Sequence, residues 1–268
     1  VQRAMGWFRS IEETCTRFDE RSELRRLSAR IGTPVPVSAM LYHTIDFALK
    51  VAEETGGAFD PTVGHSMEFH GFNREYRSGR PVPSPLTSHE GASYRDVRLD
   101  PIKKTITLLR PLVLDVGAVA KGFAVDLAAR ELEACENFSV NAGGDLFLRG
   151  SNGSGKPWSI GIQHPRESQQ LIRKLRLTDT AVCTSGDYER RSTDNGHHLL
   201  DPRTGKFAAG VASVTVVASS AMVADVLATA AFVLGPHDGL QLLEDYGVGG
   251  LIVTQAMEQI TTRIMPLN

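Results

Sequence analysis

A carboxylate stands alone in an apolar run. The stretch Ala221-Met-Val-Ala-Asp225-Val-Leu-Ala-Thr229-Ala-Ala-Phe-Val-Leu234 is apolar at every position except Asp225 and Thr229. In a helix these two lie one turn apart on one face. A carboxylate in such surroundings requires a cation or a dense set of donors, because an unpaired buried charge is costly. One carboxylate beside one hydroxyl suits a hard cation that takes oxygen ligands and leaves positions open for a phosphate, with Mg2+ the usual case. The alternative is structural: an early Asp favoured by the helix dipole, and a Thr bonding back into its own helix. The helix alone leaves both readings open.

Four other stretches carry chemically useful residue types. In Leu114-Asp115-Val-Gly117-Ala118-Val-Ala-Lys121-Gly122, Asp115 and Gly117 stand at a helix start and Lys121 about a turn inside. A helix N-terminus with a close-approach glycine and a mobile cation is a seat for a diphosphate. The same residues also read as a cap, a turn and a surface lysine. Thr55-Gly-Gly-Ala58-Phe59-Asp60-Pro61 reads as a helix C-cap and a turn, or as a pocket wall with Phe59 against a flat ring. Asn141-Ala-Gly143-Gly144-Asp145 is a turn between strands, or glycines that clear space for a ligand. His197-His198 stands before the turn Asp201-Pro-Arg203-Thr-Gly205, and imidazole is the commonest acid–base group, although a structural His is the common outcome for either ring.

One motif misleads. Gly150-Ser-Asn-Gly-Ser-Gly155-Lys156 has P-loop spacing, but Pro157 replaces the required Ser or Thr, and Trp158-Ser-Ile-Gly-Ile is strand-like. A polar hairpin turn is the better reading.

The elements that position these groups follow from capping and periodicity. Helices are expected from about Met5 to Arg17, from Ser22 to Ile31, and from Ser38 to Glu54, the last ending at Gly56-Gly57. A surface loop covers Gly79 to Ser88. Strands follow at Val97–Leu99, Thr105–Leu109 and Val113-Leu114, then a helix from Ala118 to about Ala134. The next region is largely strand: 138–140, 145–148, 158–163, 171–177, 181–184, 198–200 and 213–217. The apolar helix opens after Ser219-Ser220 and stops at Gly235-Pro236; a helix near 239–246 and strands at 251–254 and 260–264 close the chain. Helices and strands fall in blocks, which indicates an α+β fold with mainly antiparallel sheet.

At 268 residues the chain suffices for one large domain or two intimately packed halves. A net charge of −2 with mixed signs argues against a nucleic-acid surface. The cluster Arg21 to Arg30 is interleaved with Glu20 and Glu23 and reads as a solvated helix face. Three scattered cysteines, without C-x-x-C, suggest neither a zinc site nor a disulfide framework and lean towards a reducing compartment. No run approaches the length of a membrane span, and no signal-peptide core follows Val1.

In their order and spacing, the stretches Cys15–Leu24, Thr55–Gly64, Leu114–Asp126, Asn141–Gly150, Thr184–Tyr188, His198–Gly205 and Val214–Gly235 resemble the ApbE family of Mg2+-dependent FAD:protein FMN transferases. The resemblance implies one ApbE-like (T-fold-like) domain over 1–268, with mainly antiparallel sheets packed with helices and an FAD cleft between them. It implies a metal shell of Asp225, Thr229 and backbone oxygens of Ala118 and Ala228, holding Mg2+ with Ca2+ as the alternative. Phe18, Ala58, Phe59, Asp60, Asp115, Lys121 and Leu200 would border FAD, and His198 would be the catalytic histidine. The implied reaction moves FMN from FAD onto a threonine or serine of a target flavoprotein, typically a subunit of a redox complex, and releases AMP. FAD hydrolysis to FMN and AMP, or FAD binding without turnover, are the competing readings. Two features depart from the family. The usual first strand carrying Met-Gly-Thr is absent or its contact is supplied differently, and no export signal is seen. The expectation is a bacterial enzyme, cytoplasmic as the sequence stands, and periplasmic or membrane-anchored if a signal precedes Val1.

Overall fold

Short polar residues start the helices where their positions suggest. In the computed structural model, which describes residues 1–75, 79–82, 91–189 and 196–266, the Oγ atoms of Ser22, Ser38 and Ser220 accept from the backbone N–H groups of Arg25, Leu41 and Val223. In chain order the elements begin with α1 (Gln2–Cys15), α2 (Glu23–Ser28), β1 (Val35–Pro36), α3 (Ala39–Glu54), α4 (Gly64–Phe69), β2 (Val97–Asp100), β3 (Thr105–Leu108) and α5 (Gly117–Glu131). Strands β4 (Phe138–Ala142), β5 (Asp145–Arg149), β6 (Trp158–Gln163), β7 (Leu171–Leu177) and β8 (Thr180–Gly186) follow. The chain continues through β9 (Leu200–Asp201), β10 (Lys206–Phe207) and β11 (Val211–Ala218) to α6 (Ala221–Leu234), α7 (Pro236–Asp245), β12 (Gly249–Thr254) and β13 (Gln259–Thr261).

The fold is α+β with antiparallel pairing between the strands, and it divides into two compact units. The first unit comprises Val1–Phe8, Lys121–Arg190 and Ala208–Asn268. Its six-stranded sheet has the order β13-β12-β11-β8-β5-β4. Strand alternation sends Leu148, Val182, Leu251 and Val253 into an apolar cluster with Ile162 and Leu175 of the β6–β7 hairpin. The opposite positions of β8 meet α6: Cys183 Sγ bonds to the Ala221 carbonyl, and Ser185 Oγ lies 3.0 Å from Thr229 Oγ1. Ten residues of α6 are buried, as the all-round apolar pattern requires.

The second unit comprises Arg9–Ala120 and Arg191–Phe207. It holds α2, α3, α4, a three-stranded sheet of order β1-β3-β2, and the β9–β10 hairpin. Helix α3 ends where Gly56 and Gly57 adopt positive φ (57° and 83°), and Gly57 N–H reaches the Ala52 carbonyl.

Some expectations are corrected. Helix α4 was unforeseen; it has no capping side chain, and its start depends on Gly64, whose Cβ would lie 2.6 Å from the Val113 carbonyl oxygen. Val113 makes only an isolated bridge to Val63 rather than a strand with Leu114. His198 precedes β9 instead of lying on it. Helix α2 stops at Ser28, and Arg25 is buried, so that helix is not a wholly solvated face. Helix α7 starts three residues earlier than its apolar spacing suggests, because Pro236 fits its first turn. The final strand closes at Thr261. Gly79 to Val82 lie outside helix and strand, and residues 83–88 of the expected loop lie outside the described residues. No described helix is long and apolar enough to cross a membrane.

Candidate active site

In the first unit α5 and α6 touch backbone to side. A Cβ on Gly122 would lie 2.3 Å from the Ala221 carbonyl oxygen, so glycine is what permits this approach. Asp126, one turn on, closes the start of α6: its carboxylate accepts from Ser220 Oγ (2.7 Å), Ala221 N–H (2.7 Å) and Met222 N–H (3.0 Å). Burial raises the Asp126 pKa against these lowering hydrogen bonds. The crossing carries Lys121 onto α6. Its Nζ lies 2.7 Å from Asp225 Oδ2 and 3.2 Å from Asp145 Oδ2. Both carboxylates are nearly sealed, at 5% and 6% side-chain exposure, whereas Lys121 is 45% exposed.

The charge balance of this cluster is uneven. Burial raises the Asp225 pKa, Lys121 opposes the rise, and Asp145 adds to it. Desolvation pulls the Lys121 pKa down, but Asp225 and Asp145 outweigh it and hold the ammonium protonated. Two carboxylates facing one ammonium leave negative charge over. Thr229 lies one helical turn from Asp225 and its hydroxyl meets Ser185 Oγ at 3.0 Å, so this face of α6 offers oxygen donors of the kind a hard divalent ion takes. Among the described residues no group of three His, Cys, Asp or Glu side chains is set to hold a metal, so hydroxyl and backbone oxygens must complete any shell. Ala228 is fully buried within α6 and Ala118 lies in the first turn of α5; each carbonyl oxygen carries two lone pairs.

The second unit holds another charged centre. Arg17, its side chain only 4% exposed, donates from Nε to Asp115 Oδ2 at 2.7 Å and from Nη1 to Glu68 Oε1 at 3.4 Å. Its Nη2 donates to the Phe72 carbonyl, and its guanidinium stacks over the Phe18 ring at 4.2 Å. Asp115 also caps α5, accepting from Gly117 N–H at 2.9 Å. Arg17 thus fixes two residues expected at FAD, Phe18 and Asp115, in one assembly.

His198 is half-buried, edge-on to Phe72 with ring centroids 6.5 Å apart. Nearby, His70 donates from Nε2 to the Gly205 carbonyl, and Phe207 packs against both His70 and His197. Leu200 is buried in β9, opposite Phe207. Ala58 and Phe59 are buried. The Asp60 carboxylate accepts from Thr62 N–H and Oγ1 and from Tyr94 N–H, while burial raises its pKa against those bonds.

Of the named residues, the structure joins Lys121 to Asp225, with Thr229 one helical turn from it, and links Phe18 to Asp115 through Arg17, while Ala58, Phe59, Asp60, His198 and Leu200 have the separate surroundings given above. Sequence reasoning gave no role to Asp145, Ser185, Asp126 or Arg17. Asp145 had a usable signal: it leads an alternating strand after a double-glycine turn, with Leu146 and Leu148 directed into the cluster on the other face. Arg17 had none, because its partners lie 51 and 98 residues away.

The family model described as the ApbE family matches residues 1–252. A protein of Haemophilus influenzae named FAD:protein FMN transferase is 31% identical over 261 residues, covering 92% of this chain and 75% of its own length. One of the same name from Treponema pallidum is 34% identical, with 87% and 70% covered. Among solved structures, the ApbE protein of Thermotoga maritima superposes with a TM-score of 0.87 at 34% identity over 98% of this chain and 88% of that one. The flavin transferase ApbE of Vibrio cholerae gives 0.84 at 27% identity, with 98% and 87% covered. The chain is a member of the ApbE family.

Proposed function

We propose that this chain transfers the FMN part of FAD to a threonine or serine hydroxyl of an acceptor protein, releases AMP, and is a single flavin-transferase domain over residues 1–268. The observation that carries the reading is the buried Asp225, facing Asp145 across the single ammonium of Lys121. Relatives named FAD:protein FMN transferase support the substrate pair.

In this reading Asp225, Thr229 and the backbone oxygens of Ala118 and Ala228 hold Mg2+, with Ca2+ as the alternative ion. When bound, the ion supplies charge neutralisation on the diphosphate oxygens. The chain's own groups do the rest. Lys121 adds a positive charge for the diphosphate. Phe18, Ala58, Phe59, Asp60, Asp115 and Leu200 border FAD, with Arg17 keeping Phe18 and Asp115 in place. His198 takes the proton from the acceptor hydroxyl as its oxygen bonds to the FMN phosphorus. The phosphorus–oxygen bond to the adenylate half breaks, and AMP leaves with that oxygen. The acceptor is a flavoprotein subunit of a redox complex.

The test is mass spectrometry of threonine-containing acceptor proteins after incubation with FAD and Mg2+, with AMP measured alongside. The account expects one AMP per FMN-bearing acceptor and little AMP without acceptor. Equal AMP release with and without acceptor makes the chain an FAD hydrolase instead. FAD binding with no AMP in either case makes it a binding protein.

A further inference from the structure

Resting on the metal reading of Asp225, we propose that Asp145 is a positioning residue that retains Lys121 when a divalent cation takes Asp225, so that the ammonium and the metal exchange places on one carboxylate. Three observations support this. Lys121 Nζ lies within ion-pair distance of both acids, 2.7 Å from Asp225 and 3.2 Å from Asp145, so a small rotation about its flexible stem moves it from one to the other. The Lys121 side chain is 45% exposed and those of the two acids are 5% and 6%, so the lysine stem is the part with room to swing. Asp145 is held on the helix-facing side of β5 by the strand register Ala142↔Asp145 and by its neighbour Leu146 facing the opposite cluster.

The physical need is clear. A single acid could not bind a divalent ion without first expelling Lys121 into solution, and the expelled ammonium would then repel the metal. A second buried acid gives Lys121 a place to stay, close enough to meet a diphosphate. No bond is made or broken; one ionic contact replaces another.

The experiment is a double-mutant cycle on Mg2+ affinity of the full chain without FAD, by titration calorimetry, with Mn2+ as a spectroscopic check. D145N should weaken Mg2+ binding about tenfold, the size expected when a partner outside the metal's direct ligands is lost. K121Q should tighten it. In the K121Q background, D145N should have almost no effect, since no ammonium competes. If D145N costs the same in both backgrounds, Asp145 acts by simple charge or direct ligation and the exchange is wrong. If D145N does not fold, K121Q alone decides: unchanged or weaker Mg2+ binding overturns the proposal. D225N separates the two readings. If it binds Mg2+ like the wild type, the metal assignment itself fails; if it loses Mg2+ while D145N keeps it, only the exchange fails.

Discussion

Arg17 and Lys121 are each shared by two carboxylates, yet the two centres are inverted in exposure. At Arg17 the cation is sealed (4%) and its acids, Glu68 and Asp115, are the more open members at 11% and 23%. At Lys121 the acids are sealed and the cation is open. A guanidinium that spends its donors on two carboxylates and a carbonyl is a fixed tie between chain segments. In the exchange proposed above, an ammonium over two buried acids is a removable counter-charge. The first arrangement maintains shape; the second, in that proposal, is where another cation takes its place.

The largest effect that would break this contrast concerns the two cations themselves. R17A removes the sealed guanidinium that ties Glu68, Phe72 and Asp115 together and should cost about 3–5 kcal/mol in chemical denaturation, whether or not Mg2+ is present. R17K should recover only part, because an ammonium cannot reproduce the planar fork. K121Q should cost less, about 1–3 kcal/mol in EDTA, and Mg2+ should restore it. Equal losses, or Mg2+ rescue of R17A, would erase the distinction.

A smaller loss tests what places Lys121. D126A removes three acceptor contacts from the start of α6 and should cost about 1–2 kcal/mol by thermal or urea unfolding. It should also weaken Mg2+ binding, since the cap fixes α6 against α5. Unchanged Mg2+ affinity would detach the cap from the site.

The smallest effect near neutral pH comes from Cys15, two residues before Arg17. Burial pushes its thiol up to about 12, from an ordinary value near 9. A raised folded pKa means that the unfolded chain loses its proton first. Stability is therefore intact below about pH 9 and falls as pH rises towards 12. C15A should make that alkaline decline shallower in unfolding titrations. In the folded chain at pH 8, a thiol reagent should modify the exposed Cys135 and spare the buried Cys15 and Cys183.

The contrast also explains what could be read in advance. Helix α6 matches its expected span because Ser220 caps it and Gly235-Pro236 stops it, all local signals. Asp225 stood out because its neighbours in sequence are apolar, and that local contrast survives folding as burial. Lys121 was placed on its helix, but its two acids come from β5 and α6, so their meeting depends on the Gly122–Ala221 crossing. The Arg17 centre was opaque for the same reason in stronger form. It joins residues 17, 68, 72 and 115 from loops and helix ends, where neither period 2 nor period 3.6 marks a partner.

The most direct measurement is FMN transfer to an acceptor protein by the D225N variant, read by mass spectrometry across a Mg2+ titration. Losing the carboxylate should remove several kcal/mol of phosphoryl-charge stabilisation, so transfer should fall at least about a hundredfold and Mg2+ should not restore it. Transfer by D225N at the wild-type rate and the wild-type Mg2+ dependence would contradict the account.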